Sequence, residues 1–261
     1  MNLIDNLSEK RILELTETKN ISVSIFDSLP STSDLAKQRA SEGADEGVLI
    51  LANNQTAGRG RTGKTFFSPD GSGIYFSLVL RPEFSPTEAY KITLAAAVAL
   101  CETLETMGTT PLIKWVNDIF LGGRKVAGIL TEAKLTENAE KIEYAVLGVG
   151  LNLYPPKIGF PEEIKSSAGF IWDSPLNDRK NRLVSLFIDN FFRIYKNSFT
   201  SLVENYKKRC FILGKEILIL KKDNKIPASA LDITECGGLR VRLQNGKEIV
   251  LDSGEISIKP L

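Results

Sequence analysis

The chain has 261 residues, with 33 Lys and Arg against 32 Asp and Glu, a formal net charge of +1 and no histidine. That balance excludes a global basic field for nucleic acid or anionic membrane, and a hydrophobic share of 43% excludes disorder. The missing histidine excludes Ser-His-Asp and Cys-His catalysis, leaving carboxylates, Lys, Arg, backbone amides and bound Mg²⁺ for any chemistry.

In chain order, residues 1–20 place Leu3, Ile4, Leu7, Ile12 and Leu15 at spacings that suit a short amphipathic helix. Asp5, Glu9, Glu14 and Glu17 among them are unlike the basic head of a secretion signal, so a cytoplasmic address is expected. Lys10, Arg11 and Lys19 face those four acids, and there is no room before Ile21 for a helix-turn-helix, so DNA binding is not expected.

Ile21 to Leu29 reads as a strand, Ser31-Thr32-Ser33-Asp34 opens a helix to about Ser41, and Val48 to Ala52 is a buried-strand run. A polar, glycine-rich loop covers 53–73, and a strand resumes over Ile74 to Arg81. Ser85-Pro86-Thr87-Glu88 is a capping box starting a helix to Met107, with Gly108 as its stop. Ile113 to Leu121, the Gly122-Gly123 turn and Lys125 to Ala133 form an expected hairpin, followed by a strand over Ile142 to Leu153. The stretch from Tyr144 to Pro156 is the longest without charge, yet it has only 13 residues and includes two prolines, too short to span a membrane.

Leu183, Leu186, Phe187, Phe191 and Ile194 mark one or two amphipathic helices between Asp178 and Lys208. Beyond Phe211, short strands alternate with turns at Asp223-Asn224, Gly237-Gly238 and Asn245-Gly246. The expected organisation is α+β: a helical extension over 1–20, a mixed domain of sheet and helices over 21–210 and a small β-barrel over 211–261. Cys101, Cys210 and Cys236 are too scattered for a disulfide framework or paired metal ligands.

Gly58 to Thr65 matches the phosphate-loop pattern G-x-x-x-x-G-K-[ST] letter for letter. Such a loop needs a helix directly after it, and Phe66-Phe67-Ser68-Pro69-Asp70-Gly71 forbids one. What remains is a pliable loop whose charges, Arg59, Arg61 and Lys64, can wrap an anion or simply face solvent. Strict alternation sets Lys125 with Ala127 on one strand face and Val126 with Gly128 on the other. A lysine among apolar strand residues needs an anionic partner or guards an edge. Asn117-Asp118 forms either a functional pair or a bend, and Gly148 and Gly150 allow close approach of a ligand or another backbone.

Taken in order, Pro30 to Ser33, Gln55 to Arg61, Lys114 to Asp118, Lys125 to Leu130, Gly148 to Asn152 and Gly254 to Ser257 closely resemble biotin protein ligases. The resemblance implies the biotin/lipoate ligase fold with a small C-terminal barrel. It implies biotin and ATP, with Mg²⁺, as reactants that form biotinyl-5′-adenylate, and a biotin carboxyl carrier domain of a carboxylase such as acetyl-CoA carboxylase as acceptor. It places Ser31, Thr32, Ser33, Gln55, Arg59, Gly60, Arg61, Lys125 and Gly128 on the biotin side. Arg61, Trp115, Asn117, Asp118, Lys125 and Asn152 fall on the nucleotide side, with Asp118 toward Mg²⁺; because the acceptor lysine must arrive as a neutral amine, Asp118 is also the expected proton acceptor in transfer. Ser33 stands where asparagine is common in the family, and Val116 where proline is common. Rival readings are a lipoate or octanoate attachment enzyme of the same fold, a phosphate-loop NTPase and a binding module. A homodimer through an exposed sheet edge is a further expectation.

On these expectations Arg61 and Lys125 neutralise the two anions that must meet, a carboxylate and an α-phosphate, so both must share one cavity.

Overall fold

The computed structural model describes residues 5–196, 199–221, 224–252 and 255–258. Leu3, Ile4, Asp223 and Gly254, singled out above, lie outside the described residues. In chain order the elements are α1 (Glu9–Leu15), β1 (Ser22–Leu29), α2 (Thr32–Ser41), β2 (Val48–Gln55) and β3 (Gly73–Leu80). Then come α3 (Tyr90–Thr106), β4 (Leu112–Lys114), β5 (Asp118–Leu121), β6 (Arg124–Leu135) and β7 (Ile142–Asn152). After α4 (Glu162–Lys165), α5 (Arg179–Tyr195) and α6 (Phe199–Arg209), the chain ends in β8 (Glu216–Lys221), β9 (Asn224–Ile233), β10 (Leu239–Leu243), β11 (Glu248–Leu251) and β12 (Glu255–Ile258).

Seven strands form a mixed sheet in the order β1-β2-β3-β7-β6-β5-β4, parallel only between β1 and β2, which α2 connects. Five antiparallel strands in the order β11-β10-β9-β8-β12 make the C-terminal module, with β11 and β12 at its edges. The Ser85 capping box forms as the sequence predicts, over a single 3₁₀ turn (Pro86–Glu88) that leads into α3. Gly108 takes the left-handed φ of 84° that ends the helix.

One sheet face is sealed. Helix α3 is buried along most of its length, because α5 and α6 pack on its outer side while its inner side meets β4, β5 and β6. The main apolar core lies here, with Phe76, Phe187 and Phe191 fully or almost fully buried. Residues 5–18 are fastened outside α5: buried Asp5 accepts from Tyr154 Oη at 2.6 Å and from the Lys180 amide at 3.0 Å, and Ile12 is fully buried.

The other face is only half covered. Here α2 packs Ala36 and Ala40 on Ile50, Val79, Tyr144 and Val146. Strand pairing carries this face onward: Val79 and Ser77 lie beside Val146 and Gly148, and Leu130 and Gly128 beside Gly148 and Gly150. Past the start of α2 the side chains become small or absent, and the sheet offers a floor instead of a core.

Candidate active site

A cavity of about 400 Å³ opens on that floor, within the range of roughly 300–1,000 Å³ usual for small-molecule sites. It is lined by the first residues of α2, the end of β2, the 59–66 loop, the 114–120 bend, and central residues of β6 and β7. Arg61 and Lys125 both line it, as do Ser31, Thr32, Ser33, Gln55, Arg59, Gly60, Trp115, Asn117, Asp118 and Gly128. Asn152 is not among the lining residues; its amide donates to Gly169 O at 3.0 Å and so holds the 167–169 segment that hydrogen-bonds to Lys125 on both sides.

The polar end is built on the N-terminus of α2. Gln55 Oε1 accepts from the Thr32 amide at 2.8 Å and Thr32 Oγ1 at 3.1 Å, while Gln55 Nε2 donates to Ser68 Oγ. Ser31 occupies the N-cap position with only 3% of its surface exposed, yet its hydroxyl caps no amide of α2. A buried hydroxyl on a cavity wall, at the start of a helix whose first amide Gln55 already takes, is prepared to meet a polar ligand group.

The charged end depends on an irregularity that alternation does not foresee. Phe120 pairs with Lys125, but the preceding Ile119 pairs with Ala127, so Val126 is an extra residue in β6. This bulge moves Lys125 onto the face of Asp118 and Gly128, correcting the expected grouping with Ala127. A Cβ built on Gly128 would lie 3.4 Å from Lys125 Nζ. The anionic partner of Lys125 is Asp118, at 2.6 Å. β6 lies between β7 and β5, so Lys125 is no edge lysine.

Asn117 is fixed within the 115–117 bend. Its side chain donates to Ile129 O at 2.7 Å, its own carbonyl accepts from the Ile129 amide, and its Oδ1 accepts from Arg61 Nη1 at 3.1 Å. Arg61, Asn117, Asp118 and Lys125 therefore form a continuous polar wall. The bend contains a cis Trp115–Val116 peptide bond. It is held from outside by Tyr206 Oη donating to Val116 O and by Trp115 Nε1 donating to Gly237 O of the C-terminal module.

The loop that carries the arginines folds back on itself. Arg59 bridges to Thr65, the Gly60 amide donates to Lys64 O, and the Phe66 amide donates to Gly58 O. Its Arg61–Gly63 turn is 3₁₀, with Thr62 at φ 53°, and no helix follows it, as the sequence requires. Arg59 reaches away from the polar wall: it donates to Asp34 Oδ1 at 2.5 Å and Glu132 Oε1 at 2.7 Å. Those carboxylates, Asp34 first, push its guanidinium further into the charged form.

Several contributors escaped sequence reasoning. Phe66 places its ring over the strand glycines, so that a Cβ at Gly150 would come within 2.6 Å of it. Buried Ser77 bonds Thr32 and Ser33, and Glu132 holds Arg59 and Lys37. The glycine pattern was a usable signal for Phe66; the others carry none in a single sequence.

Residues 25–152 match the Biotin/lipoate A/B protein ligase family and residues 212–259 the biotin protein ligase C-terminal domain. A Mycobacterium tuberculosis biotin-(acetyl-CoA-carboxylase) ligase is 30% identical over 229 residues, covering 84% of this chain and 82% of that protein. The chain belongs to the biotin protein ligase family.

The Bacillus subtilis bifunctional ligase/repressor BirA is 38% identical over 162 residues, 62% of this chain. The matched part spans about half, 49%, of that relative's own length. Among solved structures, the biotin protein ligase from Aquifex aeolicus in complex with biotin and ATP superposes with a TM-score of 0.71 at 25% identity, over 93% of this chain and 99% of that one. The mixed sheet with its small C-terminal antiparallel module is thus the architecture of biotin protein ligases. Among the described residues, no helix is long and apolar enough to cross a membrane.

Proposed function

We propose that this protein joins biotin to ATP as biotinyl-5′-AMP and then transfers the biotinyl group to a lysine of a carboxylase's biotin carboxyl carrier domain. The observation that carries this reading is the single cavity in which the hydroxyl-rich start of α2 faces the wall of Arg61, Asn117, Asp118 and Lys125.

In the first step a biotin carboxylate oxygen attacks the α-phosphorus, and the bond to pyrophosphate breaks with its electron pair. Two anions must meet, so the barrier is dominated by charge repulsion and histidine is not needed. Arg61 and Lys125, both on the cavity wall, offset that repulsion. In the second step a neutral lysine amine attacks the acyl carbon, the bond to AMP breaks, and the surplus proton passes to Asp118.

Among the described residues no group of three or more His, Cys, Asp or Glu side chains could cage a metal. Asp118 supplies one carboxylate, which fits Mg²⁺ brought by nucleotide phosphates, since such ions keep few protein ligands. When bound, Mg²⁺ draws charge toward the leaving pyrophosphate.

Against a thiol-dependent transferase of the same fold, Cys101 and Cys210 are buried and burial pushes both thiols up, Cys210 to about 12. Neither they nor exposed Cys236 line the cavity. Residues 5–18 hold one seven-residue helix docked on α5. A cytoplasmic location suits an enzyme that consumes ATP. A homodimer would pair along the outer edge of β1, where Glu9 already takes the Ile25 amide.

The test combines the protein with Mg²⁺-ATP, biotin and a carrier domain, weighs the carrier, and follows pyrophosphate–ATP exchange with biotin and with lipoate. Carrier gaining one biotinyl mass and exchange dependent on biotin are expected; exchange with lipoate alone overturns the assignment.

A further inference from the structure

Beneath the hydroxyl-rich end of the cavity lies a residue that touches no open space. Ser77, on β3, is fully buried and is not among the lining residues. Its Oγ stands 2.9 Å from Thr32 Oγ1 and 3.0 Å from Ser33 Oγ, both of which face the cavity. Gly148 makes the approach possible, since a Cβ there would come within 2.8 Å of Ser33 Oγ.

The protons in this cluster can be counted. Gln55 Oε1 accepts from the Thr32 amide and Gln55 Nε2 donates to Ser68 Oγ, whose own proton goes to Phe66 O. That fixes the amide with its oxygen toward Thr32. Each of the three hydroxyls has one proton. If Thr32 donates to Gln55, Ser77 donates to Thr32 and Ser33 donates to Ser77, leaving Ser33 as an acceptor toward the cavity. If Thr32 donates to Ser77 instead, Ser77 donates to Ser33, and the Ser33 proton points outward. Gln55 Oε1 keeps the Thr32 amide in both settings, so no buried acceptor is stranded.

We infer that Ser77 is a positioning residue, the pivot of a reversible hydroxyl relay that lets Ser33 either accept from or donate to the ligand. The inference rests on the biotin reading above. A cyclic urea carries N–H donors on either side of a carbonyl acceptor, so one hydroxyl able to take both roles matches either edge of it. Ser77 acts only through Ser33 and Thr32; it needs no contact with the ligand.

A double-mutant cycle separates this from a structural role. Biotin binding is measured calorimetrically for wild type, Ser77→Ala, Ser33→Ala and the double variant, with the KM for ATP and the melting temperature beside it. Ser77→Ala and Ser33→Ala are each expected to weaken biotin binding about tenfold, the size of one hydrogen bond. The double variant is expected to be no weaker than Ser33→Ala alone, with the KM for ATP within twofold of wild type. Ser77→Thr, which keeps the hydroxyl, should restore most of the affinity. Should Ser77→Ala fail to fold, Ser77→Cys, a weak donor of similar shape, takes its place in the cycle. Additive losses near a hundredfold, or a Ser77 variant that binds like wild type, overturn the relay while leaving the ligase reading intact. A wild-type protein that binds no biotin overturns both.

Discussion

The two faces of the seven-stranded sheet are made by the same strands yet do opposite things. Under α3, α5 and α6 the strands present Phe76, Leu78, Leu147 and Val149 to a continuous apolar core. One residue along, the same strands present Gly148 and Gly150 to a cavity, with Ser77 buried beneath its hydroxyl-rich end. Stability resides on one face and chemistry on the other, and the period of two in a strand keeps them apart. The cavity exists because α2 begins only at Thr32, and a folded loop, not a helix, covers the remaining floor.

If that division is right, damage to the sealed face should unfold the protein without altering its chemistry. Phe187 is fully buried and packs its ring 5.2 Å from Phe76 and 6.0 Å from Phe191. Phe187→Ala is expected to cost about 3–5 kcal/mol by denaturant titration. The turnover of the fraction still folded should stay near wild type; a variant equally stable but inactive would dissolve the distinction between faces.

Damage to the open face should do the reverse. Lys125→Ala removes a half-buried charge on the cavity wall, paired with Asp118. Adenylate formation, followed by pyrophosphate release, should fall about 10²- to 10³-fold, or roughly 3–4 kcal/mol. Melting should change little. Wild-type pyrophosphate release from this variant would remove Lys125 from the chemistry.

The floor itself can be tested at Gly150. A Cβ there would meet three carbons of the Phe66 ring at 2.6–2.9 Å. Gly150→Ala must therefore push Phe66 into the cavity, at a cost of about 1–3 kcal/mol that biotin titration should read as a weaker affinity. Adding Phe66→Ala should relieve it. If the pair is no better than Gly150→Ala alone, Phe66 is not what the missing side chain accommodates.

These residues also mark the limit of what the sequence discloses. The capping box at Ser85, the stop at Gly108 and the false phosphate loop are local signals, decided by neighbours in the chain, and the structure has each where local chemistry puts it. The gathering of Arg61, Asn117, Asp118 and Lys125 was visible only as separate motifs whose order resembled a family. The Val126 bulge was not visible, because nothing in Arg124 to Leu130 shows that two residues of β6 oppose one of β5. Ser77 and Glu132 act across 44 to 95 residues of chain, and a lone serine or glutamate in a strand carries no mark of its partner.

The roof of the cavity differs from both faces in how weakly it is tied. Arg59 joins the loop to α2 and β6 through Asp34 and Glu132, and Lys37 shares Glu132 at 2.9 Å. With Arg59 39% and Asp34 54% exposed, water and salt screen the pair, and such contacts are worth about 0.2–1 kcal/mol. Asp34→Asn should thus lower stability by a few tenths of a kcal/mol at low salt, within that range, and by less at high salt. A loop held this loosely at one arginine, while Arg61 two residues on bonds the wall at Asn117, can part from α2 and still keep its charge over the reacting groups. Limited proteolysis between Gly58 and Lys64 is the readout: cleavage should quicken in Asp34→Asn and slow again when biotin is added. Cleavage that biotin does not slow would mean that the loop does not close on the ligand at all.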